Sequence, residues 1–181
     1  MEKKLFQIFR AGTHTAMRGQ ELSFSESDLI ATAYAYQFKT KRAPLVLGHP
    51  DNNLPEYGYV LELIAKAGKL FAFAEVSTSL LGLVREGRYK NVSAGFFGPS
   101  SPQNPVQGVW NLRHVGFLGA NPPAVRGMDT LEFAGAEGWD MPAEFAAFSG
   151  PSSNDVLSKI NEFRRVAPCL SYTEIVSLAT R

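Results

Sequence analysis

The apolar segments of this chain are short, and each is closed by glycine, proline, asparagine or a charged residue. Leu5-Phe6-Gln7-Ile8-Phe9 alternates around Gln7 and stops at Gly12, and Leu45-Val46-Leu47 is framed by Pro44 and Gly48. Tyr57 to Ile64 and Lys69 to Val76 flank a turn at Lys66-Ala67-Gly68. Asn91 to Phe97 has a small-residue centre, followed by a loop from Gly98 to Gly108 that holds Pro99, Pro102 and Pro105. Val109 to Leu118 comes next and is ended by Gly119 and Asn121-Pro122-Pro123. Punctuation of this kind predicts short strands joined by turns, with the 57–76 pair as a hairpin.

Two helices interrupt the strands. Ser23-Phe24-Ser25-Glu26 has capping-box spacing, a hydroxyl accepting from the backbone three residues on while Glu26 reaches back, and predicts a helix from Glu26 to Phe38. Leu29, Ala33 and Tyr36, with Ile30, form its buried face. Ser77 or Ser79 caps a shorter helix from Leu80 to Glu86, closed by Gly87. Beyond Gly127 the texture changes. Met128 to Ser149 lacks a firm period, and Gly150-Pro151-Ser152-Ser153 reads as a linker. Val156, Leu157, Ile160 and Phe163 fall at helical spacing, and Ser171-Tyr172-Thr173-Glu174 is a second capping box. The expected fold class is mixed and mainly β: a domain over 1–127 with one or two helices, then a helical C-terminal appendage over 128–181.

Composition excludes several roles. With 181 residues and 45% hydrophobic content, the chain can bury a core without staples. Its net charge of +1 singles out neither nucleic acid nor an anionic membrane as partner. The most apolar stretch, Val60 to Val76, is broken by Glu62, Lys66, Lys69 and Glu75, so no membrane span is expected. The run after Met1-Glu2-Lys3-Lys4 is too short for a signal peptide, and the lone Cys169 has no internal disulfide partner. A reducing cytoplasm is the expected compartment. Phosphate-cradling Gly-rich loops, a dinucleotide fingerprint, zinc-type Cys or His pairing and a Gly-x-Ser-x-Gly elbow are all absent, and no cofactor is expected.

Only three histidines exist for acid–base work near neutral pH. His49 stands where an apolar strand feeds a Gly/Pro/Asn-rich loop, a place where a rigid scaffold presents reactive groups. By local sequence alone it reads as a surface turn histidine. Ser93 lies in a strand beside Val92, Ala94 and Gly95, whose small side chains let another backbone or a substrate come close. Alone, it reads as a serine on the polar face of a half-buried strand. Alternation places His114 on one face with Leu112, Gly116 and Leu118, where a partly buried imidazole needs a hydrogen-bond partner and another histidine can supply it. His14 reads as a loop residue, Cys169 as packing, and a metal site of His49, Asp51 and His114 as an alternative without diagnostic spacing.

Taken in order, these residues resemble a family. Phe9-Arg10-Ala11-Gly12-Thr13-His14-Thr15, Ala43-Pro44-Leu45-Val46-Leu47-Gly48-His49-Pro50, Tyr89-Lys90-Asn91-Val92-Ser93-Ala94-Gly95-Phe96 and the run from Trp110 through His114 to Gly127 are similar to the Mu-like phage prohead proteases. These enzymes process scaffold and capsid precursors during head maturation, and their wider group is similar in fold to herpesvirus assemblin. The resemblance implies an assemblin-like β-barrel core with surrounding helices. It implies a serine endopeptidase of Ser-His-His type, with Ser93 as nucleophile, His49 as base and His114 as third member. Backbone N–H groups from Asn121 to Gly127, helped by Arg126, are the implied oxyanion donors.

The implied partners are scaffold and major capsid precursor proteins, with self-association. The implied location is the host cytoplasm, inside the immature phage head. Relatives continue into a long helical scaffolding region, whereas this sequence stops at Arg181, so either no scaffold role is expected of it or that role belongs to a separate protein. Activity is expected to fall on acidification through roughly pH 6–7, where an unperturbed imidazole gains its proton. Two other readings stay open: a catalytically inactive head-assembly or scaffold-binding protein of the same fold, and a metal-dependent hydrolase centred on His49 and Asp51.

Overall fold

The computed structural model describes residues 1–16, 19–37, 42–119, 125–126, 128 and 131. Eight strands and two helices follow in order: β1 (Glu2–Arg10), β2 (Gly12–Thr15), β3 (Glu21–Phe24), α1 (Glu26–Gln37), β4 (Leu45–Leu47), β5 (Gly58–Lys66), β6 (Lys69–Val76), α2 (Thr78–Arg85), β7 (Asn91–Phe97) and β8 (Asn111–Leu118). The strands form three sheets, β1-β6-β5, β2-β3 and β4-β8-β7. All pairings are antiparallel except β4 with β8.

β6 shows why the first sheet forms. Its alternate residues Leu70, Ala72, Ala74 and Val76 are all fully buried, while Lys69, Phe71, Phe73 and Glu75 turn to the other face. The β5–β6 hairpin closes through Ala67 and Gly68, both at positive φ (50° and 70°), the two-residue turn whose twist matches a right-twisted ribbon. The core joins Phe6, Ile8, Leu63 and Leu70 of this sheet with Leu45, Leu112, Val115 and Phe117 of the third. Phe6 and Phe117 meet at 5.8 Å between ring centroids. α1 is tied to the strands by Tyr36, whose hydroxyl donates to the Val60 carbonyl (2.8 Å) and accepts from the Ala43 N–H (2.8 Å).

Three expectations need correction. The sheets do not close into a barrel among the described residues. β4 meets the start of β5 through Tyr57 N–H to Leu45 O (2.7 Å) and Val60 N–H to Ala43 O (2.8 Å). The edges β1 and β7 are not paired as strands, and Phe9 and Phe96 pack there with ring centroids 5.0 Å apart. The cap of α1 is Ser25, not Ser23. Ser25 Oγ accepts from the Asp28 N–H (3.1 Å), and Asp28 Oδ2 accepts from the Ser25 N–H (2.8 Å). Ser23 is already committed to β3, where its hydroxyl meets that of Thr13 at 2.8 Å, and Glu26 accepts from the Gly68 N–H at 3.1 Å. Gly12 to Thr15 is a strand of the β2–β3 hairpin rather than a loop.

Other expectations match. Leu29, Ala33 and Tyr36 are buried and Ile30 is half-buried. Ser77 caps α2 by accepting from the Leu80 N–H (3.2 Å), and Gly87 follows at φ 71°. The loop from Gly98 to Gly108 is organised by buried Asn104, which donates to Gly98 O (2.8 Å) and Val109 O (2.7 Å) and accepts from Val106 N–H (3.0 Å). The C-terminal appendage expected over 128–181, with Cys169 in it, lies outside the described residues apart from Met128 and Leu131. No described helix is long and apolar enough to cross a membrane.

Candidate active site

The site is laid out by the register of the third sheet. β8 is its middle strand, with Val46 opposite Gly116 on the β4 side and Ser93 opposite Gly116 on the β7 side. Val115 and Phe117, fully buried, point to the core with Val92 and Ala94 as their β7 partners. By the period of two, His114, Gly116, Ser93 and Gly95 share the opposite face. The face expected to run from Leu112 to Leu118 begins only at His114. A bulge between Gly95 and Phe96 shifts the partner from His114 to Leu112 and leaves Arg113 as the extra residue.

His49 reaches this face because the chain turns over β8 directly after β4. Gly48, at φ 66°, donates its N–H to Phe117 O (2.9 Å) and lays the next peptide across Gly116. A Cβ on Gly116 would collide with the Gly48 carbonyl oxygen and stand 3.3 Å from His49 Cε1. The His49 imidazole therefore lies over Gly116. Its cross-strand partner Ser93 is a direct neighbour on that face, where paired Cβ positions are about 4.5–5.5 Å apart. Ser93 is half-buried, and among the described residues its hydroxyl forms no hydrogen bond to His49. Catalytic hydrogen bonds are often long without substrate and tighten when it binds.

His114 is only 3% exposed, and its ring lies on the Cα of Gly95. A Cβ at Gly95 would stand 2.8 Å from His114 Nε2. That close approach explains the small residue two places after Ser93. The two imidazoles meet directly, His49 Nδ1 to His114 Nε2 at 2.6 Å, with ring centroids 4.9 Å apart. The other nitrogen of His114, Nδ1, lies 2.7 Å from Asn53 Oδ1. The loop carrying His49 and Asn53 is held down by Arg113, which donates to the Asp51 carbonyl oxygen at 2.7 Å. Within it, Asn53 N–H donates to Pro50 O (3.3 Å) and Leu54 N–H to Asn52 Oδ1 (3.1 Å).

The surroundings of both imidazoles favour the neutral, proton-accepting form. Burial depresses His49 below the usual histidine range, and the Arg113 charge adds to the effect. Burial, His49 and Arg113 together push His114 down to about 4. This arrangement can strip a proton from an alcohol on the Ser93 side of His49 while His114 steadies the ring.

His14 sits on β2, its Nε2 2.9 Å from Arg10 O and its ring edge-on to Phe9 at 5.1 Å. Arg126, the expected oxyanion helper, is exposed. Asn121 to Ala124 and Gly127, the other expected oxyanion donors, lie outside the described residues. Asp51 reaches the site through its backbone carbonyl, and no group of three His, Cys, Asp or Glu able to hold a metal is found among the described residues. Sequence reasoning missed Asn53. Nothing in Asp51-Asn52-Asn53 distinguishes it from an ordinary turn asparagine.

No family model matches the chain. No curated protein matches it either. Among solved structures it is similar to the Kaposi's sarcoma-associated herpesvirus protease. A room-temperature crystal structure of that protease with an allosteric inhibitor aligns at TM-score 0.48 and 15% identity, over 89% of this chain and 92% of the other. A crystal structure of the same protease with a dimer disruptor aligns at TM-score 0.43 and 16% identity, over 67% and 71%. Likeness at this distance transfers no activity, and the function has to be read from the residues of the site.

Proposed function

We propose that this chain is a serine endopeptidase of Ser-His-His type. The observation that supports this most is the direct hydrogen bond between His49 and His114, set over Gly116 with Ser93 as the cross-strand neighbour. His49 Nε2 accepts the Ser93 hydroxyl proton as Oγ attacks a peptide carbonyl, then returns it to the departing amine. A water molecule, activated by the same imidazole, releases the acyl group. His114 holds His49 in place and shares the charge that His49 gains. A neutral imidazole stabilises that charge less than a buried carboxylate would, so slow turnover is expected.

The order His49, Ser93, His114 and the run around each are what the prohead-protease resemblance rests on. We therefore assign the substrates as scaffold and major capsid precursors, the setting as the immature phage head, the catalytic unit as 1–127, and self-association as part of its working state. Ser93→Ala, incubated as the full chain with its precursor, should leave the fold unchanged and lower cleavage by roughly 10³-fold or more. Normal processing by that variant would refute the nucleophile. The second reading is an inactive head-assembly protein of the same fold. New precursor termini produced by the wild-type chain would dismiss it.

A further inference from the structure

We propose that Asn53 is a positioning residue, whose side-chain oxygen selects the tautomers of both histidines and so leaves His49 Nε2 free to act as base. This rests on the peptidase reading for its purpose, but not for its test. The inference follows from donors and acceptors along one line. Asn53 Oδ1 is an acceptor only, so His114 Nδ1, 2.7 Å away, must carry the proton. A neutral His114 then has its lone pair on Nε2, which faces His49 Nδ1 at 2.6 Å. His49 Nδ1 must therefore be the protonated nitrogen, and Nε2 has the open lone pair.

The opposite pair of tautomers keeps the hydrogen bond between the rings, reversed, and is disfavoured at the Asn53 contact. It would set the His114 Nδ1 lone pair against the Asn53 oxygen. It would also protonate His49 Nε2, which then has nothing to accept from Ser93. One carboxamide thus propagates a choice across two rings, a role for the outer hydrogen bond that recurs wherever an imidazole must present one particular nitrogen. The carboxamide is well held for this. Its backbone is in a turn closed on Pro50, and Arg113 fixes the loop through Asp51. Among the described residues, Arg113 and His49 are the charged or titratable groups that act on His114, and neither accepts from Nδ1.

Asn53 also sits at φ 57°, a conformation that asparagine tolerates and glycine adopts freely. That fact separates the proposal from a purely conformational role. Asn53→Gly keeps the backbone at ease and removes the acceptor, whereas Asn53→Asp keeps an acceptor at the same place. In the full chain labelled with ¹⁵N-histidine, NMR at neutral pH should show protonated Nδ1 and bare Nε2 on both His49 and His114. Asn53→Gly should mix the tautomers of His114, and Asn53→Asp should preserve them.

A serine-protease triad locked in the wrong tautomer loses about 10⁴-fold in kcat. Asn53→Gly releases the choice rather than reversing it, so a loss of roughly 10- to 100-fold in kcat is expected, with KM little changed. Asn53→Asp should restore most of it. Unchanged tautomers in Asn53→Gly, or protonated Nε2 on wild-type His114, would overturn the assignment. If the tautomers respond as stated and the wild-type chain still cuts nothing, the Asn53 role stands and the peptidase reading falls.

Discussion

The chemistry proposed at Ser93 depends on two residues with no side chain. Gly116 lets the Gly48 peptide and the His49 ring settle on β8, and Gly95 does the same for the His114 ring. A methyl group at either place would push an imidazole off the face it shares with Ser93. Gly95→Ala is therefore expected to leave the far-ultraviolet circular dichroism intact, break the histidine pair and lower peptidase activity by roughly 10²-fold or more, since misplacement by about 1 Å has such an effect. Activity of wild-type level in a folded Gly95→Ala chain would show that the His114 position is not needed. Burial also fixes the direction of the pH response. His49 binds its proton less readily in the folded chain than an exposed histidine does, so activity should persist below pH 6.5 and fall only as pH drops through its lowered value. His114 takes up a proton on unfolding anywhere between its folded value of about 4 and the ordinary histidine value. The unfolded state binds more protons there, so stability falls as the solution is acidified through that window, by up to about 3 kcal/mol for this residue. Chemical denaturation in parallel with rate measurements at several pH values checks both signs.

At the scale of elements, the legible parts were those whose local pattern agreed with their final environment. β6 alternates because one face is core, and α2 carries its own cap and its own C-terminal glycine. The parts that were not legible depended on distant partners. Thr13-His14-Thr15 has no apolar alternation to announce a strand, and only pairing with Glu21 to Phe24 makes it one. That pairing also removes Ser23 from the helix start and passes the cap to Ser25. The cap is testable: Ser25→Ala should destabilise the fold by about 1 kcal/mol in urea or guanidinium unfolding, while Ser23→Ala should leave α1 capped. Equal effects of the two would contradict the assignment. The bulge at Arg113 is a similar case, since nothing between Trp110 and Leu118 signals an extra residue, and it re-aims the strand immediately before His114. Asn53 escaped for the plainest reason: its partner is 61 residues away.

For the whole molecule, the three sheets explain why a site can form from segments so far apart in the chain. The parallel pairing of β4 with β8 brings the end of β4 to the middle of the third sheet, and the antiparallel β7 supplies Ser93 from the other side. The apolar faces behind them, including Phe117 on Phe6, pack that sheet against β1-β6-β5 and give the site a rigid floor. Closure into a barrel is not required for this. The most direct test of the central claim, that His49 activates Ser93, needs no knowledge of the substrate. The full chain is treated with a serine-reactive fluorophosphonate and the adduct is located by peptide mass spectrometry. The account predicts one adduct, on Ser93, that is lost in His49→Gln, persists below the ordinary histidine value and fades only as pH drops through the lowered His49 value. A folded wild-type chain that leaves Ser93 unlabelled, or labels it equally well without His49, would contradict it.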